Sequence, residues 1–239
     1  MRKLALAVLF SAVSSVGAMA GDLASGVSHD GAPIGFNWTG AYVGGLIGYG
    51  TGDTEAIGNP GFDGSAPDDR AVFDPDGFIG GVLVGYNWQV DNFVFGLEGE
   101  AGYLGVKENL WYPDGDDYFA GTEYGLYGSV VGRVGVAFDR TLLGVKAGVM
   151  VSRIDYGFGD IDGGIDGEPD DSASVFGDTS RVGYTVGASL EHAFIDQWIG
   201  RLDYTYADFG SFTRTDRDGE DYRISNDLHM IRIGVSYKF

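Results

Sequence analysis

The residues that could do chemistry in this chain are few and far apart. Glu98 and Glu100 stand two positions apart, a spacing that projects both carboxylates from one face of a strand, as an acid/base pair would need. No partner constellation accompanies them, so the reading adopted is a salt bridge to Arg133 on the following strand. Of the three histidines, His29 belongs to an N-terminal leader, His192 to the turn end of one strand and His229 to the loop end of another. About 25 Å of apolar barrel wall would separate the last two, so they form no dyad and no shared metal site. Cysteine is absent, which excludes thiol catalysis, thiolate metal sites and a disulfide scaffold. The sequence therefore assigns no catalytic residue, no cofactor and no metal ligand.

Acid is concentrated between the apolar segments. Positions 152–180 carry Asp155, Asp160, Asp162, Asp166, Glu168, Asp170, Asp171 and Asp178 among glycines. Clustered oxygens suit a hard cation such as calcium, but the spacing is not that of an EF-hand loop. A solvated, self-repelling surface loop is the default, with weak divalent binding as the alternative. In 105–123 the aromatics Trp111, Tyr112, Tyr118 and Phe119 form either an adhesive patch or a cover over a barrel mouth. The formal charge of −20 argues against nucleic acid and against a basic membrane anchor.

Within the apolar segments the charges keep one parity. Glu98, Glu100, Arg133, Lys146, Glu191, Arg201, Asp203 and Arg232 all fall on the side opposite the large apolar residues. One reading is a constriction that selects ions; the other is a self-neutralising network filling a narrow barrel. The second is adopted, because an eight-stranded barrel is just wide enough for side chains to fill and buried charges must be paired. Arg153, Asp208 and Asp227 depart from this parity only near strand ends, where water is available.

The elements that position these residues follow from periodicity. Residues 1–20 read as a signal peptide: Arg2 and Lys3, an apolar run from Leu4 to Val13, then Ala18-Met19-Ala20 as a cleavage site. That run of about ten residues is too short for a membrane-spanning helix, which needs about twenty. A polar periplasmic leader, 21–35, precedes a domain at 36–239. Period-two alternation picks out eight strands, at 38–50, 77–88, 92–104, 124–138, 141–151, 181–194, 198–209 and 228–239. Tight turns at Gln89–Asp91, Asp139–Arg140 and Ile195–Gln197 alternate with long loops at 51–76, 105–123, 152–180 and 210–227. Pro60, Pro67 and Pro75 argue against long strand extension in the first of these loops.

One strand face is apolar and the other small or polar: Ile231, Ile233, Val235, Tyr237 and Phe239 oppose Arg232, Gly234, Ser236 and Lys238. As the outside of a soluble barrel the second face would be poor. As a narrow lumen, with the apolar face toward lipid, it fits. Strands of nine to eleven residues match a tilted span of the hydrocarbon layer, and the bilayer permits a sheet only if it closes. The predicted fold is all-β, an eight-stranded antiparallel up-and-down transmembrane barrel, with both termini in the periplasm and the long loops outside. Trp88, Phe93, Phe138, Phe194 and Trp198 gather at the turn ends, as an interfacial aromatic girdle would.

An ordered series of motifs resembles the small porin-like outer-membrane proteins of alphaproteobacteria. It runs from Trp38-Thr39-Gly40-Ala41-Tyr42-Val43-Gly44-Gly45 through Gly80-Gly81, Gly85-Tyr86-Asn87-Trp88, Gly132-Arg133-Val134-Gly135, Phe138-Asp139-Arg140 and Gly183-Tyr184-Thr185-Val186-Gly187-Ala188. Glu191-His192-Ala193-Phe194, Asp208-Phe209-Gly210 and the terminal Tyr237-Lys238-Phe239 continue it. The resemblance implies a bacterial outer-membrane location, contact with outer-membrane lipid and lipopolysaccharide, and a structural or surface role without chemistry, sometimes described as porin. The terminal Phe239 looks like the signal read by the barrel-assembly machinery. Leu83 departs from the pattern, being apolar where a polar lumen residue is expected. The function expected is a structural barrel displaying four long acidic loops, with a narrow salt-bridged lumen. A narrow porin for small solutes, and a receptor or adhesin acting through the loops, are the alternatives.

Overall fold

The computed structural model describes residues 35–59, 69–112, 118–160, 175–215 and 221–239. The expected signal peptide, the leader up to Ile34 and the central parts of the long loops lie outside the described residues. The elements are β1 (Gly40–Asn59), β2 (Asp69–Phe73), β3 (Asp76–Val90), β4 (Phe93–Tyr112), β5 (Tyr118–Phe138), β6 (Thr141–Asp160), β7 (Val175–Ile195), β8 (Trp198–Thr215) and β9 (Asp221–Lys238). From β3 to β9 each strand pairs antiparallel with the next, β1 pairs with β3, and β1 also pairs with β9 from Tyr42↔Lys238 to Asn59↔Asp221. The sheet is thus a closed eight-stranded up-and-down barrel, as the alternation predicts. Short β2 pairs with the far end of β1, Thr54↔Phe73 to Gly58↔Asp69. It prolongs the path of β3 beyond an interruption at Pro75, whose nitrogen has no hydrogen to donate to a ladder.

The strands outrun their expected lengths at the loop end. β4 continues to Tyr112 and β6 to Asp160, because backbone pairing persists in water after the apolar alternation that marks the hydrocarbon layer has ceased. The expectation from the prolines is corrected in the same way. β1 runs on to Asn59, and β2 adds a further short strand, Asp69–Phe73, just ahead of Pro75.

Each tight turn places an aspartate in the left-handed region: Asp91 and Asp139 at φ 54° and Asp196 at φ 42°. Aspartate tolerates that conformation better than bulkier residues. At the loop end Gly210, φ 69°, occupies the irregularity of β8 between Asp208 and Ser211, and its N–H is bonded to Asp208 Oδ1 at 2.7 Å.

Burial is inverted relative to a water-soluble sandwich. Phe78, Val182 and Ile47 are 81%, 69% and 65% exposed on the outer wall, where lipid replaces water. Trp88, Phe93, Phe138, Phe194 and Trp198 are also exposed, at the turn end. Toward the loop end, outward tyrosines donate their hydroxyls to carboxylates: Tyr103 to Glu123 and Tyr184 to Asp208, at 2.8 and 2.9 Å. The packed core is the lumen. An apolar cluster including Trp38, Leu142 and Ile199 fills its turn end. Another, including Leu104, Met150 and Met230, fills its loop end.

Candidate functional site: a charged belt inside the barrel

Between the two apolar layers lie all eight strand charges that share the inward parity, each buried. Antiparallel pairing around the turn at Asp196–Gln197 sets Glu191 directly opposite Arg201, and their charged groups approach to 3.3 Å. The next inward positions pair Asp203 with Arg232 across β8 and β9, Oδ1 to Nη2 at 2.6 Å. Glu98, on β4, reaches across the lumen to Arg201 Nη1 at 2.7 Å and stands 3.4 Å from Arg133 Nη1. Arg133 also binds Glu191 from the other side. Lys146 joins the two halves, 2.7 Å from Asp203 and 3.8 Å from Glu98.

Glu100 is answered differently from the expectation. Arg133 and Lys146 meet Glu98, whereas Glu100 is bound by Arg232 and by the hydroxyl of Tyr127. Glu100 lies one inward position nearer the loop end than Glu98, toward Arg232.

Two tyrosines complete the belt. Tyr42 donates its hydroxyl to Glu98 Oε2 at 2.8 Å and accepts from Arg133 Nη1 at 2.9 Å. Its ring lies 5.7 Å from both Arg133 and Arg201, within cation–π range. Leu83, the apolar departure on β3, packs against Tyr42 and Leu46, filling the wall beside the aromatic ring where no charge is needed.

Sequence reasoning missed how so many large side chains fit in so narrow a lumen. The answer lies in their cross-strand partners. Tyr42 faces Gly85, Tyr127 faces Gly102, Arg133 faces Gly96, Lys146 faces Gly187 and Arg232 faces Gly48. A Cβ at Gly102 would come within 2.8 Å of the Tyr127 ring, and one at Gly187 within 3.0 Å of Lys146 Cε. The glycines on the polar face are therefore the space into which the charged and phenolic side chains fold. The signal was present in the sequence as glycine at inward parity, but it becomes specific only once the register is known.

Outside the lumen, Arg153 faces out at the loop end and pairs with Asp155 at 3.4 Å in an exposed position. Asp208 and Asp227 stand side by side on β8 and β9. His192 contacts Thr141 at the turn end, and His229 contacts Tyr204 at the loop end, so the two are held apart. Among the described residues Asp53, Asp227 and His229 have potential ligand atoms within 4.8 Å of one another. This grouping was not legible from the sequence, since Asp53 and Asp227 become neighbours only through the β1–β9 closure. Most of the acidic residues in 152–180, and the side chains of Trp111, Tyr112, Tyr118 and Phe119, lie outside the described residues.

An outer-membrane β-barrel is also what comparison with known proteins returns. The sequence profile of the family described as "Outer membrane protein beta-barrel domain" matches residues 5–239. The chain belongs to this family. The 25 kDa outer-membrane immunogenic protein of Brucella canis is 32% identical to it over 206 residues, 85% of this chain and 80% of the relative. The 22 kDa outer membrane protein of Rhizobium leguminosarum bv. viciae is 31% identical over 206 residues, 85% of this chain and 79% of the relative. The crystal structure of the outer membrane protein OprG from Pseudomonas aeruginosa matches with a TM-score of 0.53 at 12% identity, covering 86% of this chain and 99% of that one; this likeness shows the fold. The protein is accordingly a small bacterial outer-membrane β-barrel of the alphaproteobacterial kind.

Proposed function

We propose that this outer-membrane barrel is a structural and surface-display protein with a closed lumen and no catalytic activity. The observation that carries the reading is the belt itself. Four carboxylates and four cationic side chains neutralise one another across the lumen, between two apolar layers. An ion-selective pore needs charges that face water and exchange partners with the permeant ion. Here each carboxylate contacts at least one cation of the wall, and all four are buried. Catalysis would need a nucleophile or base free to take a proton, and the belt offers carboxylates already held by arginine or lysine. In this reading both barrel ends of the chain and the tight turns lie in the periplasm, and the loops outside. The immunogenic naming of the Brucella relative fits loops displayed at the cell surface.

Liposome swelling tests this reading. Vesicles containing the refolded protein should swell in small sugars no faster than protein-free vesicles, and swelling that falls with sugar size would establish a porin instead. Phe239, exposed at the rim with its N–H bonded to Ala41, is proposed to act as the assembly signal. Deleting it should lower the amount inserted in cells and leave detergent refolding intact; equal loss in both would assign it to packing.

A further inference from the structure

Residues 35–39 precede the first strand yet belong to the barrel. They run across its turn-end mouth, the periplasmic one in the proposed orientation. Trp38 is fully buried within the ring formed by Val94, Ala137, Leu142, Ala193 and Ile199, and Phe36 packs against the same cluster, edge-on to the indole at 5.0 Å. The segment is held on both sides of the mouth. Beside β1, Trp38 N–H donates to Gln89 Oε1 at 2.8 Å while Gln89 N–H donates to Thr39 Oγ1 at 3.0 Å. Across the ring, Phe36 N–H donates to the carbonyl of Asp139 in the β5–β6 turn at 3.2 Å, while from β9, next to β1, the Lys238 ammonium lies 5.6 Å from the Phe36 ring. Eight strands lie in the order β1-β3-β4-β5-β6-β7-β8-β9, so the turn that receives Phe36 is on the side of the barrel opposite β1.

We propose that residues 35–39 are a strap that seals the periplasmic mouth, with Trp38 as its stopper, and that this seal is separable from the barrel that carries it. Three observations converge. The strap adds no strand and closes no ladder, so the eight-stranded sheet is complete without it. Among the described residues three hydrogen bonds anchor it, at its two ends, which is the pattern of a segment that opens locally at less cost than global unfolding. The indole Nε1–H, buried, finds no acceptor among the described residues, so the cup accepts the ring for its apolar surface and offers nothing specific to its polar edge. Withdrawal of Trp38 would expose an apolar vestibule that ends at the charged belt. The lumen is thus closed twice: by its own charges in the middle and by the chain's own N-terminal segment below.

The absence of cysteine allows a clean accessibility test on the full, refolded protein. A193C places a thiol in the cup, and M150C places one in the apolar layer beyond the belt. With Trp38 present, a water-soluble maleimide should label both slowly. W38A should speed labelling of A193C by on the order of tenfold or more and leave M150C slow, while W38F should keep A193C protected. T39A/Q89A, which removes the side-chain groups of the latch and keeps the stopper, should give an intermediate rate and carries the test if W38A does not fold. Equal labelling of A193C with and without the indole would overturn the seal; so would acceleration at both thiols, which would show a loosened barrel. The proposal rests on the closed-lumen reading for its functional meaning but fails separately from it. A W38A barrel that labels at A193C and also conducts would uphold the strap and contradict the closed belt.

Discussion

Two ion pairs in this barrel have the same chemistry and opposite settings. Arg201 and Glu191 meet in the lumen with side chains 1% and 2% exposed, while Arg153 and Asp155 meet at the loop-end rim with 53% and 46% of theirs in contact with solvent. Distances differ little, 3.3 against 3.4 Å. What differs is the alternative open to each partner. An unpaired charge at the rim is taken up by water, whereas an unpaired charge in the lumen has only the other members of the belt. Geometry alone therefore does not rank these pairs; burial does.

The largest loss is expected from R201A. Removing the guanidinium leaves Glu98 and Glu191 short of a cation, and a loss of about 3–5 kcal/mol is expected, the cost of stranding a buried charge. Urea unfolding of the refolded protein measures it. Adding E191A restores neutrality, and the double variant should recover part of the loss, a coupling of about 0.5–3 kcal/mol. A double variant as unstable as the sum of its parts would mean that the two groups act independently. A charge on the other side of the same wall sharpens the contrast. Leu97 neighbours Glu98 but faces lipid, 57% exposed, and L97K should cost about 2–4 kcal/mol in a bilayer. The smallest effect belongs to the rim, where R153A should change stability by about 0–1 kcal/mol and by less as salt is raised. A rim loss comparable to that of R201A would remove the distinction.

How much of this was legible in the sequence depends on the distance over which a contact is decided. Parity alone separates Glu98 from Leu97, since successive side chains of a strand point to opposite faces. Pairing across a tight turn is nearly as local: the turn at Asp196–Gln197 fixes Glu191 opposite Arg201 without reference to any other strand. Contacts that cross the lumen are different. Arg133 with Glu191, Arg232 with Glu100 and Lys146 with Asp203 depend on the tilt and stagger of the closed barrel, which no single strand encodes. For the same reason the cross-strand glycines that make room for Arg133 and Lys146, and the approach of Asp53 to Asp227, emerge only with the register. The strap was hidden by a subtler ambiguity. Trp38 continues the alternation of β1, so periodicity assigns it to the strand, although the chain leaves the ladder before Gly40 to cross the mouth.

Whether the lumen is closed by its own charges is decided by the conductance of the purified, refolded protein in a planar bilayer, measured beside R201A. The wild-type barrel should show no steady open level, and R201A, with the belt broken, should show flickering leaks that E191A reduces. A wild-type protein with a stable, large, ohmic conductance that R201A leaves unchanged would contradict the closed belt and make the protein a porin.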